Sequence, residues 1–133
     1  MAQAGYSGTP LPKKLEIREG TRMATVGAPE DFSRTLGRLP KGATLRKGLA
    51  APRDLTIWFV TSRRQLEGNL SRVVPARGEG SLWVAWPKKA SGMKSDVSEN
   101  VLREVILPLG LVDRKVCAID QTWSGLLFAW RRD

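Results

Sequence analysis

The chain has 133 residues, 41% hydrophobic and 26% charged, enough for one compact domain with a core and too few for two. One Cys and no His exclude a disulfide framework, a zinc or haem ligand set and every histidine-based mechanism, so no metal is expected. Lys and Arg number 22 against 13 Asp and Glu, a formal charge of +9 whose field favours anionic partners.

No apolar run approaches the roughly 20 residues of a membrane span, and the first ten residues lack the apolar core of a signal segment. A cytoplasmic protein without membrane association, monomeric or homodimeric, is expected. Residues 1–20 read as an arm packing on a domain formed by residues 21–133, because Gly5, Gly8, Pro10 and Pro12 interrupt regular structure before a helical turn over Lys13 to Ile17. Arg22 to Val26 predicts a short strand, ended by Gly27-Ala28-Pro29, and Pro29 opens a helix through Phe32 and Leu36. Ala43 to Arg46 predicts a second strand. Leu55 to Val60 is apolar almost throughout, the pattern of a strand covered on both faces at the centre of a sheet.

Ser62, with Gln65 three residues on, forms a capping box, and Leu66, Leu70, Val73 and Val74 share one side of a helix over Arg63 to Val74. Gly78 and Gly80 mark a turn before Leu82 to Trp86, a second buried strand adjacent to the first and stopped by Pro87. Lys88 to Ser95 is a polar loop. Asp96 or Ser98 caps a helix whose apolar stripe is Val97, Val101, Leu102, Val105, Ile106 and Leu109, closed by Pro108 and Gly110. Lys115 to Ile119 and Leu126 to Trp130 form an antiparallel hairpin joined by Asp120 to Gly125. Strands alternating with helices imply right-handed crossovers. The expected fold is α/β: a three-layer Rossmann-like domain with a mostly parallel sheet of about six strands and a C-terminal antiparallel hairpin.

This order, with its strand opening at Asp54 and its Gly80-Ser81-Leu82-Trp83-Val84 strand, resembles a shortened class I methyltransferase core that uses S-adenosylmethionine. Further blocks are similar to a bacterial family known only as a domain of unknown function. They are Gly5-Tyr6-Ser7-Gly8-Thr9-Pro10-Leu11, Trp86-Pro87-Lys88-Lys89-Ala90-Ser91-Gly92, Gly110-Leu111-Val112-Asp113 and the run from Lys115 to Leu126. That resemblance implies a fold and a bacterial origin and brings no activity. The methyltransferase resemblance implies a glycine-rich cofactor loop after the first strand and an acidic end to the second. Here the loop is Val26-Gly27-Ala28-Pro29, Pro29 offers no N–H, and the second strand ends in Arg46-Lys47. No cofactor is therefore expected in the usual position.

Ligands of open parallel sheets collect at the carboxyl ends of the strands. At that edge Ser62, Arg63, Lys88, Lys89 and Ser91 are candidates for binding an anion, with Trp86, Trp123 and Ser124 as walls. The competing structural reading is a capped helix, solvated cations and tryptophans used for packing. Asp120, at a strand end beside Thr122 and Ser124, is the one candidate for acid–base work, set against fixing the turn after it. Cys117 reads as a small buried hydrophobe sharing parity with Lys115. Arg34, Arg38, Lys41, Arg46, Lys47 and Arg53 form an acid-free basic stretch, the candidate footprint for nucleic acid. The leading expectation is a methyltransferase-like domain that binds an anionic small molecule or acidic partner without catalysis. The alternatives are a divergent S-adenosylmethionine-dependent methyltransferase and a nucleic-acid-binding module.

Overall fold

The computed structural model describes residues 8–50, 52–74 and 80–131, so residues 1–7 of the expected arm and Gly78 of the expected turn lie outside the described residues. Six strands form one sheet: β1 (Arg22–Val26), β2 (Thr44–Lys47), β3 (Leu55–Phe59), β4 (Ser81–Pro87), β5 (Leu111–Ala118) and β6 (Trp123–Trp130). Their order is β2-β1-β3-β4-β6-β5. The first four are parallel, and β6 runs antiparallel to both β4 and β5. β3 and β4 are paired at the centre, as their unbroken apolar sequences require; every residue of β3 is buried.

The helices are α1 (Leu11–Lys14), α2 (Phe32–Leu36), α3 (Arg63–Gly68), α4 (Leu70–Val73) and α5 (Glu99–Ile106). Alternation along the strands divides the core between two faces. On one, Met23, Ile57, Phe59, Trp83 and Leu127 pack with Phe32 and Leu36 of α2 and with Leu15 and Ile17, which come after α1. On the other, Trp58, Val84, Leu126 and Phe128 pack with Leu66, Val73, Leu102 and Ile106 of the remaining helices. With α2 on one face and α3 to α5 on the other, the sheet grows outward in two directions from β1 and β3.

Several boundaries differ from expectation for local reasons. The first helix stops at Lys14, and Glu16 takes a positive φ of 63°. The helix after Gly27 starts at Phe32, because Pro29 to Asp31 form a turn in which Phe32 N–H donates to Pro29 O. The single helix expected over Arg63 to Val74 is two, broken at Asn69, whose side-chain amide donates to Gln65 O. Pro87 is the last residue of β4 rather than its stop. Ser98, not Asp96, caps α5, and Val97 is buried ahead of that helix while Leu109, expected in its stripe, is 43% exposed.

The terminal hairpin is longer than expected. Trp123 to Gly125 belong to β6, so the connecting turn is shorter than Asp120 to Gly125. Between Asp113 and Lys115 the pairing with β6 shifts by one residue, a β-bulge at Arg114. The extra residue swaps the faces taken by the later side chains of β5. Asp113 meets Arg103 of α5 at 2.9 Å, whereas Lys115 reaches Glu16 on the opposite face at 3.4 Å.

Candidate functional site

The loops after β1, β3 and β4 and the β5–β6 turn all lie at the carboxyl edge of the parallel strands, where they were expected. Lys88 N–H donates to Thr122 O at 2.8 Å, and the Lys88 ammonium donates to Asp120 O at 2.6 Å. Convergence is thus real, but most of the candidate side chains are occupied by their own chain. Ser62 Oγ accepts from Gln65 N–H, and Gln65 Oε1 accepts from Thr61 N–H. Arg63 N–H donates to Asp96 Oδ1 at 2.7 Å, so an internal carboxylate already sits where an external anion was expected. The Arg63 guanidinium pairs with Glu67 and Glu104. Ser91 Oγ donates to Lys88 O and accepts from Met93 N–H, closing a turn. Lys89 is exposed.

Asp120 adopts the structural role. Its Oδ1 accepts from the N–H groups of Thr122 and Trp123, both at 2.8 Å, which fixes the β5–β6 turn. Trp86 and Trp123 do not wall a common site: each is 8% exposed, and they belong to opposite faces of the sheet. Trp123 stacks edge-on to Phe59, and Phe59 to Phe32, with ring centres 5.0 Å apart in each pair. Ser124 is half-buried within β6. Burial pushes the Cys117 thiol above its ordinary pKa, against the smaller opposing effect of Lys14, Lys115 and Lys88. The Lys14 ammonium also donates to Ala118 O at 2.8 Å, an arrival the sequence did not signal.

The basic stretch is distributed. Arg34, Arg38 and Lys41 line a cleft between α1 and the segment after α2. Arg46 and Lys47 line a depression on β1 and β2 with Arg22. Arg53 turns inward, donating to Thr56 Oγ1 at 2.7 Å and to Leu49 O.

At the same carboxyl edge a crevice lies between the diverging connections of β1 and β2. Gly27 has a φ of +71°, and a Cβ there would stand 2.9 Å from Phe59 O, so only glycine lets β1 turn away this close to β3. Gly27, Ala28, Lys47, Gly48 and Arg72 border a crevice of about 240 Å³. Lys47 is exposed, and Arg72 reaches across from α4, donating at 3.4 Å to Asn69 Oδ1. Among the described residues no carboxylate lines the crevice. Among the described residues, no group of three Cys, Asp or Glu is placed to hold a metal, and no helix is long and apolar enough to cross a membrane.

No family model and no curated protein matches the sequence. Solved structures do match the fold. A Streptococcus agalactiae protein of the NADB-Rossmann superfamily aligns with a TM-score of 0.58 and 10% identity over 94% of this chain and 69% of its own. An S-adenosylmethionine-dependent methyltransferase from Aquifex aeolicus aligns at 0.56 and 14% over 87% and 85%. A putative type 11 methyltransferase from Sulfolobus solfataricus aligns at 0.56 and 10% over 92% and 90%. The chain thus has a Rossmann-like, methyltransferase-like core, and at these identities the likeness concerns the fold.

S-adenosylmethionine, on which the Aquifex aeolicus neighbour depends, carries a sulfonium cation and a ribose diol. In the crevice, Lys47 and Arg72 repel the cation, no carboxylate among the described lining residues accepts from the diol, and Pro29 contributes no N–H to the loop. These residues do not fit that cofactor there.

Proposed function

We propose that the chain is a methyltransferase-fold binding domain for a small anion-bearing molecule, held at the crevice between the carboxyl ends of β1 and β2. The observation that carries this reading is the pair Lys47 and Arg72 facing the Gly27 loop, with no carboxylate among the described lining residues. Two cations beside small residues suit a phosphoryl or carboxylate group, the guanidinium supplying a planar fork and the ammonium a point charge. No second catalytic group is in register with Asp120, whose Oδ1 is committed to the turn. Binding without chemistry is therefore the reading these side chains support.

A second reading is a divergent S-adenosylmethionine-dependent methyltransferase. The Aquifex aeolicus and Sulfolobus solfataricus neighbours favour it, as does Glu30, which borders an adjoining depression of about 230 Å³ that shares Thr25, Ala28 and Lys47 with the crevice. There Glu30 would accept from ribose hydroxyls in place of an acidic end to β2.

Calorimetric titration of the full chain with inorganic phosphate, pyrophosphate, S-adenosylmethionine and S-adenosylhomocysteine separates the two. The anion reading expects pyrophosphate binding that weakens at least tenfold in Lys47→Glu and Arg72→Glu, with no comparable effect of Lys88→Ala. Micromolar binding of S-adenosylhomocysteine that is lost in Glu30→Gln would replace it with the methyltransferase reading.

A further inference from the structure

Away from the strand ends, an open cleft of about 790 Å³ runs between α1 and the segment after α2. Its rim carries Lys13, Arg34, Arg38 and Lys41, and among the described residues no carboxylate lines it. Among the described residues none of these four side chains has an ion-pair or hydrogen-bond partner. Four cations without a partner around one cleft repel each other. The first seven residues of the chain contain no Asp or Glu, so they do not supply the missing countercharge.

The floor is apolar. Leu36 and Ile17 are nearly buried beneath it, and the half-buried Leu11 and Leu39 expose apolar surface into it. Pro10, Pro12 and Pro40 stiffen its walls, so little backbone freedom is lost when it is filled. Among the described residues no aromatic ring lines the cleft, and these residues offer a single-stranded nucleic acid charge but no surface on which to stack its bases. An apolar floor under a cationic rim is instead complementary to a peptide that alternates carboxylates with aliphatic side chains.

We propose that this cleft is a docking site for a short acidic segment of a partner protein, with an aliphatic side chain seated between Leu11 and Leu39 and its carboxylates on Lys13, Arg34, Arg38 and Lys41. The site is separate from the crevice at Gly27, and shares no lining residue with it.

The test is fluorescence anisotropy of the full chain with a labelled dodecapeptide of Glu and Asp bearing leucine at every fourth position, at low and physiological salt. Binding should weaken with salt and fall at least tenfold in Arg34→Glu/Arg38→Glu. It should fall at least fivefold when the peptide's leucines are replaced by serine, and stay unchanged in Lys47→Glu. Circular dichroism melts establish that each variant is folded, and Lys13→Ala/Lys41→Ala provides a milder second variant. Equal binding of the serine peptide, unaltered binding in both charge variants, or stronger binding of a single-stranded oligonucleotide of equal charge would each overturn the proposal.

Discussion

On the β3–β4–β6 side of the sheet the chain is closed on both faces. Trp83 is fully buried with its indole N–H donating to Leu15 O at 2.9 Å, and α3, α4 and α5 cover the reverse. At β2 the picture inverts. Only Leu45 of that four-residue edge strand is even half-buried, and the connection from Gly48 to Asp54 crosses back to β3 with no helix among its described residues. Arg46 and Lys47 face solvent on that edge, which also discourages another strand from pairing there. The cations on the closed side are mostly paired, as Arg63 is with Glu67 and Glu104 and Arg103 with Glu99 and Asp113; those beside β2 are mostly unpaired. One half of the molecule uses its charge to hold itself together, and the other offers it to solvent.

The largest expected contrast comes from that difference. Trp83→Ala removes a fully buried ring and its hydrogen bond and should cost about 3–5 kcal/mol in urea unfolding, whereas Arg46→Ala should stay within about 0.5 kcal/mol. A loss of comparable size in Arg46→Ala would break the distinction between the halves. Next come two glycines that hold strand ends. A Cβ on Gly80, at φ +89°, would lie 2.1 Å from Asp54 O, against 2.9 Å from Phe59 O for Gly27. Gly80→Ala should therefore destabilise the chain more than Gly27→Ala, each by more than about 1 kcal/mol, read as a lowered thermal midpoint.

Smaller still, Ser98→Ala removes the side-chain oxygen that accepts from Val101 N–H and should cost about 1 kcal/mol, read by denaturant midpoint. The smallest effect is on pH dependence. Hydrogen bonds from Arg22 hold the Asp54 carboxyl below its ordinary pKa, and those from Arg103 do the same for Asp113. A depressed carboxyl contributes stability above its unfolded pKa and loses it as pH falls through the folded value. Unfolding free energy should thus decline below about pH 4, and Asp54→Asn should flatten that decline; both pairs are half-exposed, so the slope is shallow.

The strands at the centre were legible because their signal is local. Leu55 to Val60 and Leu82 to Trp86 are apolar at nearly every position, and the Ser62 and Ser98 caps are short-range chemistry. The bulge at Arg114 was not legible, since one extra residue in a strand changes no composition and shows only through pairing with β6. The helix break at Asn69 had a visible signal in Gly68-Asn69 that the hydrophobic spacing overrode. At the site, the loops that converge could be read from topology, but occupancy could not. Asp96 and Glu104 neutralise the Arg63 region from more than thirty residues away, and Arg72 reaches the Gly27 loop through the placement of α4.

The proposed ligand surface is the β1–β2 crevice rather than the loops beside β4 and β6. The most direct test of that placement is an amide chemical-shift map of the full chain titrated with pyrophosphate. The largest shifts are expected at Gly27, Ala28, Gly48 and the Arg72 backbone, and they should vanish in Lys47→Glu/Arg72→Glu. Shifts confined to residues 88–92 and 120–124, persisting in that variant, would contradict it.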